Sequence, residues 1–213
     1  MYYKATRLDG TDFRTGTIKY EVGKRTTHPT SKKRTKDDPS TYLSVSTVPT
    51  DCTGFGWPCR LFRVRGVGRA MTATNLPNKR AFLAVDVIEE LPAHEVFGPQ
   101  GEFVAALIER AAGLTRDEAV QLAASRAKAA SAAVNDASYA AWDAAEDAGR
   151  EAAAYTAWVA AGGAAGVAAR ALVVRDLIGS SGFTQAHYDT LTGPWRTVIG
   201  KVHPDDGPVE GSG

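Results

Sequence analysis

Residue types able to carry chemistry are present in this chain, but few stand at spacings that let them act together. Four histidines, His28, His94, His187 and His203, are scattered, and no two have the separation of a metal-binding pair. HExxH, a P-loop and GxSxG are absent, and Gly66-Val67-Gly68 runs into Arg69-Ala70-Met71, which fails the dinucleotide fingerprint. Cys52 and Cys59 form neither a disulfide framework nor a zinc pair, which would require CxxC and partners elsewhere. Glu89 and Glu90 are adjacent carboxylates at a strand end, but strand neighbours point to opposite faces, so they do not form a working acid–base pair. Two groups of cations are candidates for binding an anion: Lys32, Lys33 and Arg34 in a basic stretch, and Arg63 and Arg65, which alternate with Phe62 and Val64. No aromatic residue interleaves the basic stretch, so a nucleic-acid contact there would rest on phosphate alone. These residues imply no metal and no cofactor.

The elements that would position them divide the chain in two. Residues 1–99 read as a β-rich domain. Strands are expected over residues 2–7, ended by Asp9-Gly10, and over 17–22, where Ile18, Tyr20 and Val22 share one face. Residues 24–40 hold six basic residues and two prolines and read as a loop. Further strands are expected over 41–47, 60–65 and 79–89, with the Gly-, Pro- and aromatic-rich loop 48–59 folded over the sheet as a core plug. Gly98-Pro99-Gln100-Gly101 marks the boundary.

Residues 102–200 read as an alanine-rich helical domain, with alanine at 29 of the 67 positions from 105 to 171. A first helix is expected over 102–112. Thr115 and Glu118 match a capping box, and helical propensity then stays high to about residue 161. Unbroken, that run would be a rod of about 68 Å. Asn135-Asp136 and Gly149 are the expected places for it to fold back. The pairs Tyr139/Trp142 and Tyr155/Trp158 repeat YxxW, and on a straight helix they would lie about 160° apart. A hairpin lets both pairs serve as anchors of one thin alanine interface. Gly162-Gly163 permits a turn, residues 164–178 form an amphipathic helix, and a further helix from Phe183 is expected to break at Gly193-Pro194. Residues 201–213 are expected to be disordered. The fold class is therefore α+β: a small, twisted or split antiparallel β domain followed by an alanine-rich helical hairpin or bundle.

Charge follows the same division: residues 1–99 carry 16 Lys/Arg against 10 Asp/Glu, and residues 100–213 carry 9 against 14. The 18 uncharged residues from 152 to 169 contain Gly162-x-x-x-Gly166 but no Leu, Ile or Phe, so no membrane association is expected. The opening residues are charged and β-like, and a cytoplasmic protein with free thiols is the expectation.

Tyr3-Lys4, the run from Tyr20 to Lys24, and Cys59-Arg60 with Arg63-Val64, together with RDLIG…FTQAHYDTLTGPWRTVIG…HPDD over 175–206, resemble a family of uncharacterised proteins from phages and actinobacteria. That resemblance implies a phage or mobile-element setting, with the host cytoplasm as location, and no activity. The first domain also remotely resembles an ADP-ribosyltransferase-like split sheet. Lys4 would stand on its first strand, Ser46 on the strand that braces nicotinamide, and Glu89 as catalytic glutamate.

Two functions follow. One is a non-catalytic interaction or assembly protein, bound to a protein partner or to itself through its alanine-rich helices, with Tyr139, Trp142, Tyr155 and Trp158 at the interface. The other is an enzyme using NAD as cofactor through Lys4, Ser46 and Glu89.

Overall fold

A computed structural model describes residues 1–29, 38–52, 56–72, 78–129 and 131–207. The chain forms two compact units that divide between Val96 and Phe97. The fold is α+β, with an antiparallel sheet in the first unit and helices in the second.

The sheet contains β1 (Tyr2–Thr6), β2 (Arg25–Thr27), β3 (Leu43–Ser46), β4 (Arg60–Val67), β5 (Met71–Thr72), β6 (Lys79–Phe82) and β7 (Ala84–Leu91). Their order is β2-β7-β4-β1-β3-β6-β5. Tyr20, Leu43, Val45, Phe62, Val64, Phe82, Val85 and Val87 form its core. Gly66 serves this core rather than a nucleotide, because a Cβ there would lie 2.2 Å from the Phe82 ring. The sheet is unevenly joined. β1 meets β4 in five register pairs, but meets β3 in one, Tyr3↔Ser46. Its ladders are thus split into a four-stranded part and a three-stranded part joined by one rung, with a core shared across the split.

The strand expected over 17–22 does not form. Its only ladder contact is an isolated bridge between Thr11 and Lys19, made by the Tyr20 N–H donating to the Gly10 carbonyl and the Asp12 N–H donating to the Ile18 carbonyl. Arg25–Thr27, expected to lie in the basic loop, takes the edge of β7, with Arg25 paired to Asp86 at 2.7 Å. Alternation identified the buried Tyr20, but Val22 is exposed. In the loop expected to plug the core, Cys59 is buried while Trp57 and Cys52 are only half-buried. Lys32, Lys33 and Arg34 lie outside the described residues.

Buried Asp12 organises the turn before Tyr20. Its carboxylate accepts from the Thr15 N–H at 2.6 Å, the Thr15 hydroxyl at 2.7 Å and the Ile18 N–H at 3.0 Å. Burial alone would raise its pKa, but these hydrogen bonds outweigh burial and bring it down to about 2.

The second unit contains α1 (Gly101–Ala112), α2 (Arg116–Lys128), α3 (Ser131–Asp147), α4 (Glu151–Ala161), α5 (Gly163–Val173) and α6 (Gln185–Val198). Local signals hold where they were specific. Thr115 and Glu118 close the capping box of α2. α3 ends in a Schellman motif: the Gly149 N–H donates to Glu146 and the Arg150 N–H to Ala145, with Gly149 at φ +64°. Gly162, at φ +67°, turns α4 into α5.

Three expectations need correction. Asn135-Asp136 lies inside α3; the earlier break falls between Lys128 and Ser131, in a sequence that favours helix throughout. α6 runs through Gly193-Pro194, because its buried stripe of Tyr188, Leu191 and Thr192 continues to Trp195. That burial offsets a proline cost of about 3 kcal/mol. Residues 201–207 are ordered, since buried Asp206 accepts from the Tyr188 hydroxyl and from the N–H groups of Val202 and His203, each at 3.0 Å.

α5 is the axis of this unit, buried at every position from Ala165 to Ala169 and from Ala171 to Val173. It packs against α4 and α3, whose buried positions are mostly alanine (Ala153, Ala154 and Ala157; Ala137, Ala141, Ala144 and Ala145), and against α1 and α6, which bury Leu107, Ile108, Leu191 and Trp195. The closest approach is at Gly166, where a Cβ would lie 2.3 Å from the Trp158 carbonyl oxygen.

Two predictions follow. Gly166→Ala gains about 1 kcal/mol of helix propensity, but it drives a methyl into a backbone atom that cannot move alone. Urea unfolding followed by helical circular dichroism is expected to show a net loss of about 1–3 kcal/mol. For Asp12, the folded pKa lies below the ordinary 3.8, so its stabilisation is complete above that pH and is lost as pH falls toward about 2. The stability gap between wild type and Asp12→Asn is expected to be about 2 kcal/mol at pH 6 and to close by pH 2.

Candidate functional site

Ser46, at the single rung between the halves of the sheet, stands in a small polar cluster. The Lys79 ammonium donates to the Ser46 hydroxyl at 2.9 Å and to the Asp51 carbonyl, and lies 3.2 Å from the Asp51 carboxylate. The strand register sets Lys79 opposite Ser46, and the turn after β3 brings Asp51 over both. Sequence reasoning missed Lys79 and Asp51, because only the pairing of β3 with β6 makes them neighbours of Ser46. Within the cluster the ammonium, the carboxylate and the hydroxyl meet one another, and the Cys52 thiol joins them at Ser46.

Lys4 does not join it directly. It is opposite Phe62 in register, and its ammonium lies 5.4 Å from the centre of the Tyr20 ring, on the core face. Tyr3, one residue earlier, is the residue opposite Ser46, so alternation directs Lys4 and Ser46 to opposite faces. Burial holds the Lys4 pKa below the ordinary lysine range; the Asp12 charge works against that shift and the Lys79 charge adds to it. Glu89 is three strands from Ser46, roughly 14 Å at ordinary strand spacing. Its carboxylate is held by Arg63 at 2.7 Å. Lys4, Ser46 and Glu89 therefore do not meet in one cleft.

The guanidinium groups on β4 are similarly engaged. Arg65 pairs with Asp86 at 3.3 Å and Arg60 with Glu90 at 2.6 Å. The dipeptide Glu89-Glu90 is thereby accounted for, since each glutamate takes a different arginine of the neighbouring strand. Arg63 and Arg65 are cross-strand ion partners, not an open anion site. Cys52 and Cys59 are both free thiols. Burial raises both, Cys59 to about 12, which keeps them protonated and poor nucleophiles. Among the described residues no group of three or more His, Cys, Asp or Glu is placed to hold a metal.

In the helical unit the aromatic pairs stand where buried anchors were expected, but they point outward. Tyr139 is 72% exposed, Tyr155 47% and Trp158 41%, with Val159 beside them at 56%; Trp142 is half-buried. The reason is spatial. The alanine faces of α3 and α4 approach their neighbours too closely to admit a ring, so the rings take the remaining faces. Tyr155 and Trp158 lie one turn apart with ring centres separated by 6.0 Å. Val159 extends the same stripe, leaving a contiguous apolar surface on α4. A groove of about 600 Å³ elsewhere in the unit is lined by Leu114, Leu122, Val134 and alanines, and carries no catalytic constellation. No helix among the described residues is long and apolar enough to cross a membrane.

No family model, curated protein or solved structure matches the chain.

The separation of Lys4, Ser46 and Glu89 predicts that the protein, incubated with radiolabelled NAD, neither hydrolyses it nor transfers ADP-ribose. Turnover abolished by Glu89→Gln would refute this.

Proposed function

We propose that this protein is a non-catalytic interaction or assembly protein whose alanine-rich helices present the binding surface. The observation that carries this reading is the exposure of Tyr155, Trp158 and Val159 on α4, beside fully buried alanines of the same helix. Rings of this kind dominate the energetics of protein interfaces when covered, and leaving them in water is unfavourable. Tyr139 adds a second exposed ring on α3. A phage or mobile-element accessory role, in the host cytoplasm, is the setting suggested by the resemblance over residues 175–206. Among the described residues of the β unit, Arg25, Arg60, Arg63, Arg65 and Lys79 are each paired with a carboxylate.

The test is a photo-crosslinking amino acid at position 159, introduced in cells that express the full chain. A discrete crosslinked protein species is expected, and Trp158→Ala is expected to reduce its yield by about thirtyfold, the effect of losing a hot spot worth about 2 kcal/mol. If position 159 captures nothing while the protein remains folded, the reading fails.

A further inference from the structure

The segment after α6 closes a groove in the helical unit. Its cavity of about 440 Å³ is bounded by α1, the end of α6 and residues 201–204. That volume is in the range of small-molecule sites. Phe103, Leu107 and Trp195 supply its apolar part, and Arg110, Lys201 and His203 its polar part. Asp206 holds the segment in place, accepting from the N–H groups of Val202 and His203 at 3.0 Å each. The walls are therefore fixed by contacts that need no ligand.

Two of its buried side chains carry a donor that nothing accepts. Trp195 is 3% exposed and His203 8%. The His203 Nδ1 accepts from the Asp205 N–H at 3.2 Å. Burial and the Arg175 charge outweigh Asp205 and Asp206 and hold the His203 pKa below its ordinary value, so the ring is neutral with its proton on Nε2. Neither that N–H nor the Trp195 indole N–H has a hydrogen-bond partner among the described residues, although a buried indole N–H usually finds one. Both keep access to solvent, because the partnerless nitrogens sealed from it, among the described residues, are the Nε atoms of Arg170, Arg175 and Arg196. The Lys201 ammonium reaches the Pro204 carbonyl at 3.4 Å and has no carboxylate partner among the described residues. Arg110, by contrast, is held by Glu118.

We infer that this groove binds a small aromatic monocarboxylate, its carboxylate facing Lys201, Trp195 and His203 and its ring beside Phe103 and Leu107. Every unanswered polar group here is a donor, and one of them is charged. A carboxylate carries one negative charge and accepts several hydrogen bonds, so it matches that set. A dianion would bring a second charge with no cation left for it, since Arg110 is already paired. Water can answer the two neutral donors, but it leaves the ammonium without a counter-ion and gains nothing from the apolar wall. The apolar and donor parts adjoin: the Phe103 ring meets the His203 ring edge-on, with centres 4.5 Å apart. None of these residues belongs to the Tyr155, Trp158 and Val159 stripe, so this site and that surface stand or fall separately.

Isothermal titration calorimetry of the full chain tests this with three probes: cinnamate, its uncharged analogue cinnamyl alcohol, and acetate, which has the charge without the ring. Cinnamate is expected to bind at one equivalent, and the other two at least about tenfold more weakly. Lys201→Met, a change at an exposed side chain, is expected to weaken cinnamate about tenfold and to leave the alcohol unchanged. Trp195→Phe keeps the apolar body and removes the donor, and is expected to weaken cinnamate about threefold or more, with circular dichroism confirming that the helices persist. Trp158→Ala is expected to change nothing. Failure of cinnamate to bind, an alcohol that binds as well, or an affinity indifferent to Lys201→Met would each overturn the inference. So would loss of binding in Trp158→Ala, which would place the probe on α4 instead.

Discussion

Alanine gives a helix very little apolar area to bury, so helices made of it cohere only if their backbones come close. That constraint governs the second unit. α5 is buried nearly all round; α3 and α4 offer it mainly methyl groups, and at Gly166 the Trp158 carbonyl comes closer than any side chain would allow. Close approach supplies dispersion contact where side-chain area is lacking. It also leaves no room for rings at those seams. The larger side chains are sorted accordingly: Phe183, Tyr188, Leu191 and Trp195 fill the space around α6, and Tyr139, Tyr155 and Trp158 go to the surface. The candidate interface is thus a by-product of how the core is made.

The first unit solves the opposite problem. Its strands carry large side chains on the core face and charges on the rest, and those charges meet across strands. Arg25, Arg60, Arg63 and Arg65 answer Asp86, Glu89 and Glu90. Exposed pairs of this kind contribute little to stability, but they fix register and leave few charges free for a ligand. Lys79, Ser46 and Asp51 do the same beside the rung between β1 and β3. Among the described residues of this sheet, Lys4, Ser46 and Glu89 therefore do not converge on one cleft.

Features written in a few consecutive residues were legible in the sequence. The Thr115/Glu118 cap, the stop at Gly149 and the turn at Gly162 depend on local backbone chemistry, which residue type reports directly. Features decided by distant partners were not. Residues 17–22 alternate as a strand would, yet it is 25–27 that take the edge of β7, and only the fold shows that Arg25 has Asp86 for a partner. Pro194 would end an isolated helix, but Trp195 has a buried place beyond it. The tail after Lys201 lacks apolar residues, yet Asp206 is the acceptor for Tyr188. In the candidate site the four aromatic residues were identifiable by their repeat. Their outward direction was not, because it depends on which face the alanines claim.

The single rung between Tyr3 and Ser46 has a mechanical meaning. A ladder of many rungs shares a shearing load, whereas a ladder of one concentrates it. β3, β6 and β5 are joined to the rest of the sheet chiefly by side chains, with Leu43, Val45 and Phe82 set in one core with Phe62, Val64, Val85 and Val87. The seam between β1 and β3 thus depends on packing where the neighbouring seams depend on backbone hydrogen bonds.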